Sequence, residues 1–314
     1  MKLQTIVPLD AAKKPLGYDS QILTLGSCFA EHIGKKLQYY KYRSVLNPFG
    51  ILFHPLAIEN LISRAMAKKE YTKTDIFFLN ERWHCFDGHS ILSNASEVAL
   101  LDKLNNGLQQ TREQIKGASH ILITLGTAWV YRNNTSGAIV ANCHKVPQKQ
   151  FAKELLSLDE VASSLERIIK LVRSNNPQAQ LVFTVSPVRH LKDGFVENQQ
   201  SKAHLIAAVH KVLKEESISY FPSYEIMMDE LRDYRFYAED MVHPNDLAIR
   251  YIWEKFKESW VDKKAYPVME KVGEVQRGLN HRPFDPDSAQ HIAFTKSLKE
   301  KMDVLKQSYP YMEF

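Results

Sequence analysis

The chain is poor in cysteine, with only Cys28, Cys85 and Cys143 among its 314 residues. An odd, widely spaced set of three excludes a disulfide scaffold and fits thiols kept reduced. It also lacks any block of five or six like charges: 41 basic and 36 acidic side chains leave a formal charge of +5 spread along the chain. That pattern gives no footprint for a nucleic-acid partner. Long apolar runs are missing too. No uncharged stretch is longer than the apolar-rich run Gly117 to Tyr131, which is too short to cross a bilayer and contains His120. The first seventeen residues place Pro8, Asp10, Lys13 and Lys14 where the apolar core of an export signal would lie. The expectation is a mature, cytoplasmic chain with no membrane partner. Neither Gly-x-Gly-x-x-Gly after the first strand nor a P-loop occurs, which removes the common nucleotide-binding readings. There is no internal repeat and no low-complexity segment. What is present is ordinary globular composition, 44% hydrophobic and 25% charged, enough apolar surface to offset chain entropy.

Five short apolar runs read as strands covered on both faces: Ile22 to Leu25, Arg43 to Leu46, Ile121 to Leu125, Leu181 to Val185 and Ile218 to Phe221. Helical patterns alternate with them at Ala30 to Tyr40, Ala57 to Lys69, Glu97 to Ile115, Leu158 to Arg173 and Asn198 to Glu215. In the fourth, Leu155, Leu158, Val161, Leu165, Ile168, Ile169 and Val172 form one apolar stripe. The alternation predicts a three-layer α/β/α sandwich around a five-stranded parallel sheet. Two insertions interrupt it: Asp75 to Leu92, read as a β-hairpin turning at Asp87-Gly88, and Trp129 to Ala141, turning within Asn133 to Gly137. The reading assigns residues 1–260 to the α/β domain and 261–314 to a C-terminal helical extension packed on it, with Ser288 to Gln307 as its second helix.

In a parallel sheet the site lies beyond the carboxyl ends of the strands. There the first strand runs through Gly26 into Ser27, Cys28, Phe29 and Ala30, where a helix begins. The turn sets the Ser27 hydroxyl at the sheet edge, with the first helix amides aimed at any nearby oxyanion. A helix N-cap is the simpler role for such a serine. Serine needs a base, and the base an orienting carboxylate. Asp240 and His243 follow the last strand, three residues apart, before a helix that Asn245 or Asp246 can cap. Pro244 holds His243 out of helical geometry.

The run Gly26-Ser27-Cys28-Phe29-Ala30 resembles the signature of the GSCFA family, within the SGNH/GDSL-like hydrolases. That superfamily's first block is Gly-Asp-Ser and its last is Asp-x-x-His, similar to Asp240 to His243. Asn47 to Gly50, Asn142 to Lys145 and Ser186 to His190 are also similar to family segments. The resemblance implies a flavodoxin-like sandwich that hydrolyses or transfers an acyl ester, with Ser27, Asp240 and His243 catalytic. It implies no cofactor and no metal, and a small-molecule or carbohydrate ester, such as an O-acetylated sugar, as partner.

For the oxyanion hole the resemblance implies the amides of Ser27 and Gly50 plus an asparagine side chain. Ala128 occupies that asparagine's position in Gly126-Thr127-Ala128-Trp129 and has nothing to donate. Thr127, Asn47, Asn142 and Arg189 are the substitutes at hand, and turn chemistry accounts equally well for Asn47 and Gly50. Asn142, His144, Lys145, Arg189 and His190 are the candidate substrate-binding residues, Arg189 as a two-point anion contact. Cys28 is a rival nucleophile, its thiol acidified by the helix start. His190 is a rival base. Metal binding by His84, Cys85, Asp87 and His89, or by Cys143 and His144, lacks a paired Cys-x-x-Cys motif. A carbohydrate- or partner-binding module that has lost efficient catalysis, consistent with Ala128, is the rival to the serine hydrolase reading.

Overall fold

A computed structural model describes residues 4–314. Among them, in chain order, are strands β1 (Gln21–Gly26), β2 (Arg43–Leu46), β3 (Phe77–Leu79), β4 (Arg82–His84), β5 (His120–Leu125), β6 (Trp129–Asn133), β7 (Ile139–Val140), β8 (Phe151–Leu155), β9 (Gln180–Val185) and β10 (Ile218–Tyr220). The helices are α1 (Cys28–Tyr39), α2 (Pro55–Met66), α3 (Glu97–Gly117), α4 (Leu158–Asn175), α5 (Phe195–Val212), the single turn α6 (Ser223–Glu225), α7 (Asp246–Trp260), α8 (Tyr266–Leu279) and α9 (Ala289–Ser308). The central sheet has the order β10-β9-β5-β1-β2, and every pairing in it is parallel. This is the flavodoxin-like order, and its switch point falls between β1 and β5. Gly26 is in register with Thr124, and Leu125 with Val185, so the strands end at one level.

Side chains alternate between two faces, as strand geometry requires. Leu23, Leu25, Ile121 and Ile123 pack under α2 to α5. Ile22, Leu122 and Val182 pack in a second core with α1, α7, α8 and α9. The C-terminal segment is part of that second core: Val272, Leu298, Leu305 and Met312 are buried in it. Tyr311 Oη donates to Tyr18 O at 2.7 Å, and the Arg43 guanidinium lies 4.1 Å from the Tyr311 ring.

Local chemistry sets the helix starts. Ser157 and Glu160 form a reciprocal capping box at α4, and Asn245 accepts from the amides of Leu247 and Ala248 at α7. Two details differ from the sequence reading. The first hairpin turns at Asn80 and Glu81, both with positive φ, and not at Asp87-Gly88. A two-residue left-handed turn matches the twist of paired strands, and Gly88 is instead held in its own turn by a bond to Cys85 O. The second insertion gains a strand: β8 pairs antiparallel with β6, so Leu155 ends a strand and the helical stripe begins at Leu158. No helix among the described residues is long and apolar enough to cross a membrane.

Candidate active site

The β1–α1 turn is built around Gly26. Its φ is +127°, and a Cβ there would lie 2.1 Å from Thr124 O, so no side chain fits. Its amide donates to Asn47 Oδ1 at 2.9 Å. Ser27 stays extended, its amide bonded to Thr124 O at 3.0 Å, and so prolongs the β1–β5 pairing. Its side chain does not cap α1. Ser27 is fully buried, and Oγ has no hydrogen-bond partner. Gly126 lies beside its Cβ, within the 3.1 Å that an added methyl would reach. Cys28, the first helical residue, turns the other way and lines a cavity of about 890 Å³ at the carboxyl edge of the sheet.

Asp240 and His243 line the same cavity. His243 Nδ1 lies 2.7 Å from Asp240 Oδ2. Oδ1 of the same carboxylate accepts from the amides of Val242 and His243, closing a local turn. The loop is fastened further by the bond from Ala238 N to His243 O and by a bridge between Tyr237 and Pro244. The two His243 amide and side-chain bonds and the Val242 amide hold the Asp240 carboxyl down at about 2. Both side chains are about half exposed, at the cavity rim.

The remaining walls come from Ile51 and Phe53 after β2, Trp129 and Tyr131 on β6, Val140 on β7, and Val146, Val188 and Leu191 on the loops. Among the expected binding residues, Asn142, Arg189 and His190 line the cavity. Arg189 spends its backbone amide on Val242 O and Nη1 on Met241 O, and its guanidinium stacks 4.4 Å from the Tyr237 ring. It braces the Asp240–His243 loop. His190 stands edge-on to Phe53, and its Nε2 is buried without a partner. His144 and Lys145 lie outside the cavity wall. His144 is buried behind the insertion, Nε2 2.7 Å from Cys85 O, and Lys145 is exposed. Both have positive φ, so they make a turn.

The expected oxyanion donors are largely committed elsewhere. The Gly50 amide donates to Asn47 O at 2.7 Å. The Thr127 hydroxyl accepts from Trp129 N and shares a bond with Ser201 Oγ, while the Thr127 amide donates to Phe53 O. The Ala128 amide is taken by Ser201 Oγ. Asn47 keeps its Nδ2 buried and unpartnered. Of the metal-type residues, His84 is engaged at both nitrogens, by Ser93 Oγ and Leu79 O.

Lys202 was not singled out by the sequence reading. It is fully buried on α5, and Nζ donates to Gly126 O and Ser186 O, each at 2.7 Å. Burial pushes it down to about 7. A signal was available: Asn198, Ser201, Lys202, Leu205 and Val209 share the buried face of α5, so the lysine sits in the apolar stripe. Burial raises the Cys28 thiol, and the Lys202 charge and the amides of Phe29 and Cys28 oppose that rise. Burial, Lys202 and His243 together lower His190 to about 3, which keeps its imidazole neutral.

The model of the GSCFA family matches residues 21–256. A second, described as the GSCFA domain protein C-terminal domain, matches residues 272–314. Among curated proteins nothing matches. One similar solved structure is a carbohydrate esterase family 3 from Talaromyces cellulolyticus, at 13% identity and TM-score 0.28, covering 51% of this chain and 65% of that one. Another is a mutant acetyl esterase with acetate ion, at 14% identity and TM-score 0.28, covering 51% of this chain and 66% of that one. The chain thus spans just under two thirds of the length of these structures.

Proposed function

The chain belongs to the GSCFA family, and we propose that it catalyses acyl transfer, taking an acyl group from an ester-type substrate and passing it to water. One observation carries the reading: the His243–Asp240 pair faces the same cavity as the start of α1. With Nδ1 on Asp240, the imidazole keeps Nε2 for the proton of a nucleophile. The β1–α1 turn supplies that nucleophile, with Ser27 and Cys28 adjacent. Attack on the ester carbonyl forms a tetrahedral oxyanion, and collapse expels the alcohol, which takes the proton back from His243. Water then resolves the acyl-enzyme by the same relay; an alcohol in water's place gives a transferase.

The oxyanion faces the uncapped first turn of α1, where the free amides and the helix dipole lie. A single such donor is worth roughly 3–4 kcal/mol in other acyl-transfer enzymes. The Gly50 amide and Thr127 hydroxyl are not free for this role. Aliphatic and aromatic walls favour a substrate with an apolar acyl or alcohol part, with an O-acylated carbohydrate as the narrower class.

A panel of p-nitrophenyl esters from acetyl to decanoyl tests the reading. Turnover is expected to rise with chain length and to fall about 1000-fold or more in His243→Ala. Equal background in both proteins would instead favour a binding module.

A further inference from the structure

We propose that the attacking atom is Sγ of Cys28 and not Oγ of Ser27, a claim that rests on the acyl-transfer reading above. The first argument is direction. Ser27 is still extended and bonded through its amide to Thr124 O, whereas Cys28 is the first residue of α1. The Ser27 side chain is closed off against Gly126, fully buried and without any partner. Ser27 is not among the residues that line the cavity with Asp240 and His243. Cys28 opens on the cavity that Asp240 and His243 line.

The second argument is charge. The buried Lys202 ammonium, anchored by Gly126 O and Ser186 O, opposes the rise that burial imposes on the Cys28 thiol. Lys202 makes no ion pair with any carboxylate among the described residues; its acceptors are the carbonyls of Gly126 and Ser186. A thiol is also the least demanding nucleophile to activate. Burial keeps it protonated at rest, so His243 is needed to take the proton.

The step balances as follows. His243 Nε2 accepts the thiol proton, the sulfur lone pair forms the S–C bond, and the carbonyl π pair becomes the oxyanion. Collapse breaks the C–O bond, and the leaving oxygen receives the proton from His243. Water then attacks the thioester carbon, giving its proton to His243. The S–C bond breaks, and the Cys28 thiolate recovers that proton as the acid departs.

The test uses the full chain and a p-nitrophenyl ester, with the acyl-enzyme trapped in acid and mapped by peptide mass spectrometry. Ser27→Ala is expected to acylate and to keep turnover within about tenfold, while Cys28→Ala loses about 1000-fold or more and carries no acyl group. The trapped adduct is expected to be released by neutral hydroxylamine, as a thioester is. Acylation on Ser27, or turnover surviving in Cys28→Ala, overturns the proposal. If the wild type turns over no ester, the acyl-transfer reading fails, and iodoacetamide mapping decides on the thiol. Alkylation of Cys28 that slows in His243→Ala supports the thiol–imidazole pair; alkylation indifferent to His243 overturns it.

Discussion

Lys202 Nζ donates to Ser186 O at 2.7 Å beneath the cavity, in a place where a cation has no carboxylate to meet. The same nitrogen reaches Gly126 O, so one ammonium ties together the residues that follow β5 and β9. Burying a lone charge is costly unless its hydrogen bonds and a nearby anion repay it.

Lys202→Met is therefore expected to shift the pH profile of Cys28 alkylation upward, because a thiolate beside methionine loses its charge partner. Stability should move the other way. The folded value near 7 lies below the ordinary lysine value of 10.5, so between these the unfolded chain binds more protons. Wild-type stability then rises with pH across that window, and the variant loses the rise. Urea midpoints at pH 7 and pH 10, with alkylation rates measured in parallel, check both statements.

Asp240→Asn removes the charge that fixes the His243 tautomer while leaving the loop shape largely intact. The expected loss in kcat is about 100- to 10,000-fold with little change in KM. Arg189→Ala acts through the same loop by releasing Met241 O and the Tyr237 ring, and is expected to lower kcat about 10- to 100-fold. Arg189→Lys should rescue little, since a point charge cannot replace the stacked plane. Steady-state kinetics on the preferred ester separate kcat from KM in each case.

Gly26 and Gly137 both have positive φ, yet they predict opposite outcomes. A methyl at Gly26 meets Thr124 O at 2.1 Å, inside the paired edge of β1 and β5, whereas at Gly137 it meets nothing within 4 Å. Gly26→Ala is expected to cost about 4 kcal/mol or more and to give largely insoluble protein. Gly137→Ala is expected to cost about 1–2 kcal/mol from backbone conformation alone. Chemical denaturation of the soluble fractions measures the difference.

Three neutral histidines set the acid limit of the fold. His54 is held at about 4 by burial between Val140 O and the α2 amide of Ala57, His144 is held at about 4, and His190 at about 3. Each lies below the ordinary 6.5, so the unfolded chain binds more protons below that pH. Their contribution is complete above about pH 6.5 and drains away as pH falls toward 4 and then 3. Thermal melts between pH 8 and pH 4 should show Tm falling below about pH 6.5. His144→Gln is expected to flatten the slope.

Much of the scaffold was legible in the chain. The five strands of the sheet lie within one or two residues of the runs that announced them, most clearly β1, β5 and β9, which are covered on both faces and apolar almost throughout. Asp240, Val242 and His243 make their contacts within four residues, so spacing alone was informative. The Asp87-Gly88 turn misled because turn preference is a local tendency that strand pairing overrides. Strand β8 escaped because it pairs only with an insertion strand.

The sequence by itself determined the parallel α/β architecture, the Gly26 turn and the Asp240–His243 pair, all products of periodicity, backbone sterics or near-neighbour chemistry. Only the tertiary structure decided which way the two residues after Gly26 point. Ser27 is still held by the β1–β5 hydrogen bonds and faces the interior, while Cys28 is released into the helix and faces the cavity. Matching serine to serine set the nucleophile one residue after Gly26; the structure lines the cavity with the next residue instead. The Thr127 hydroxyl, through Ser201, and the buried Lys202, through Gly126, likewise gained their roles from partners distant in sequence, which no local pattern encodes.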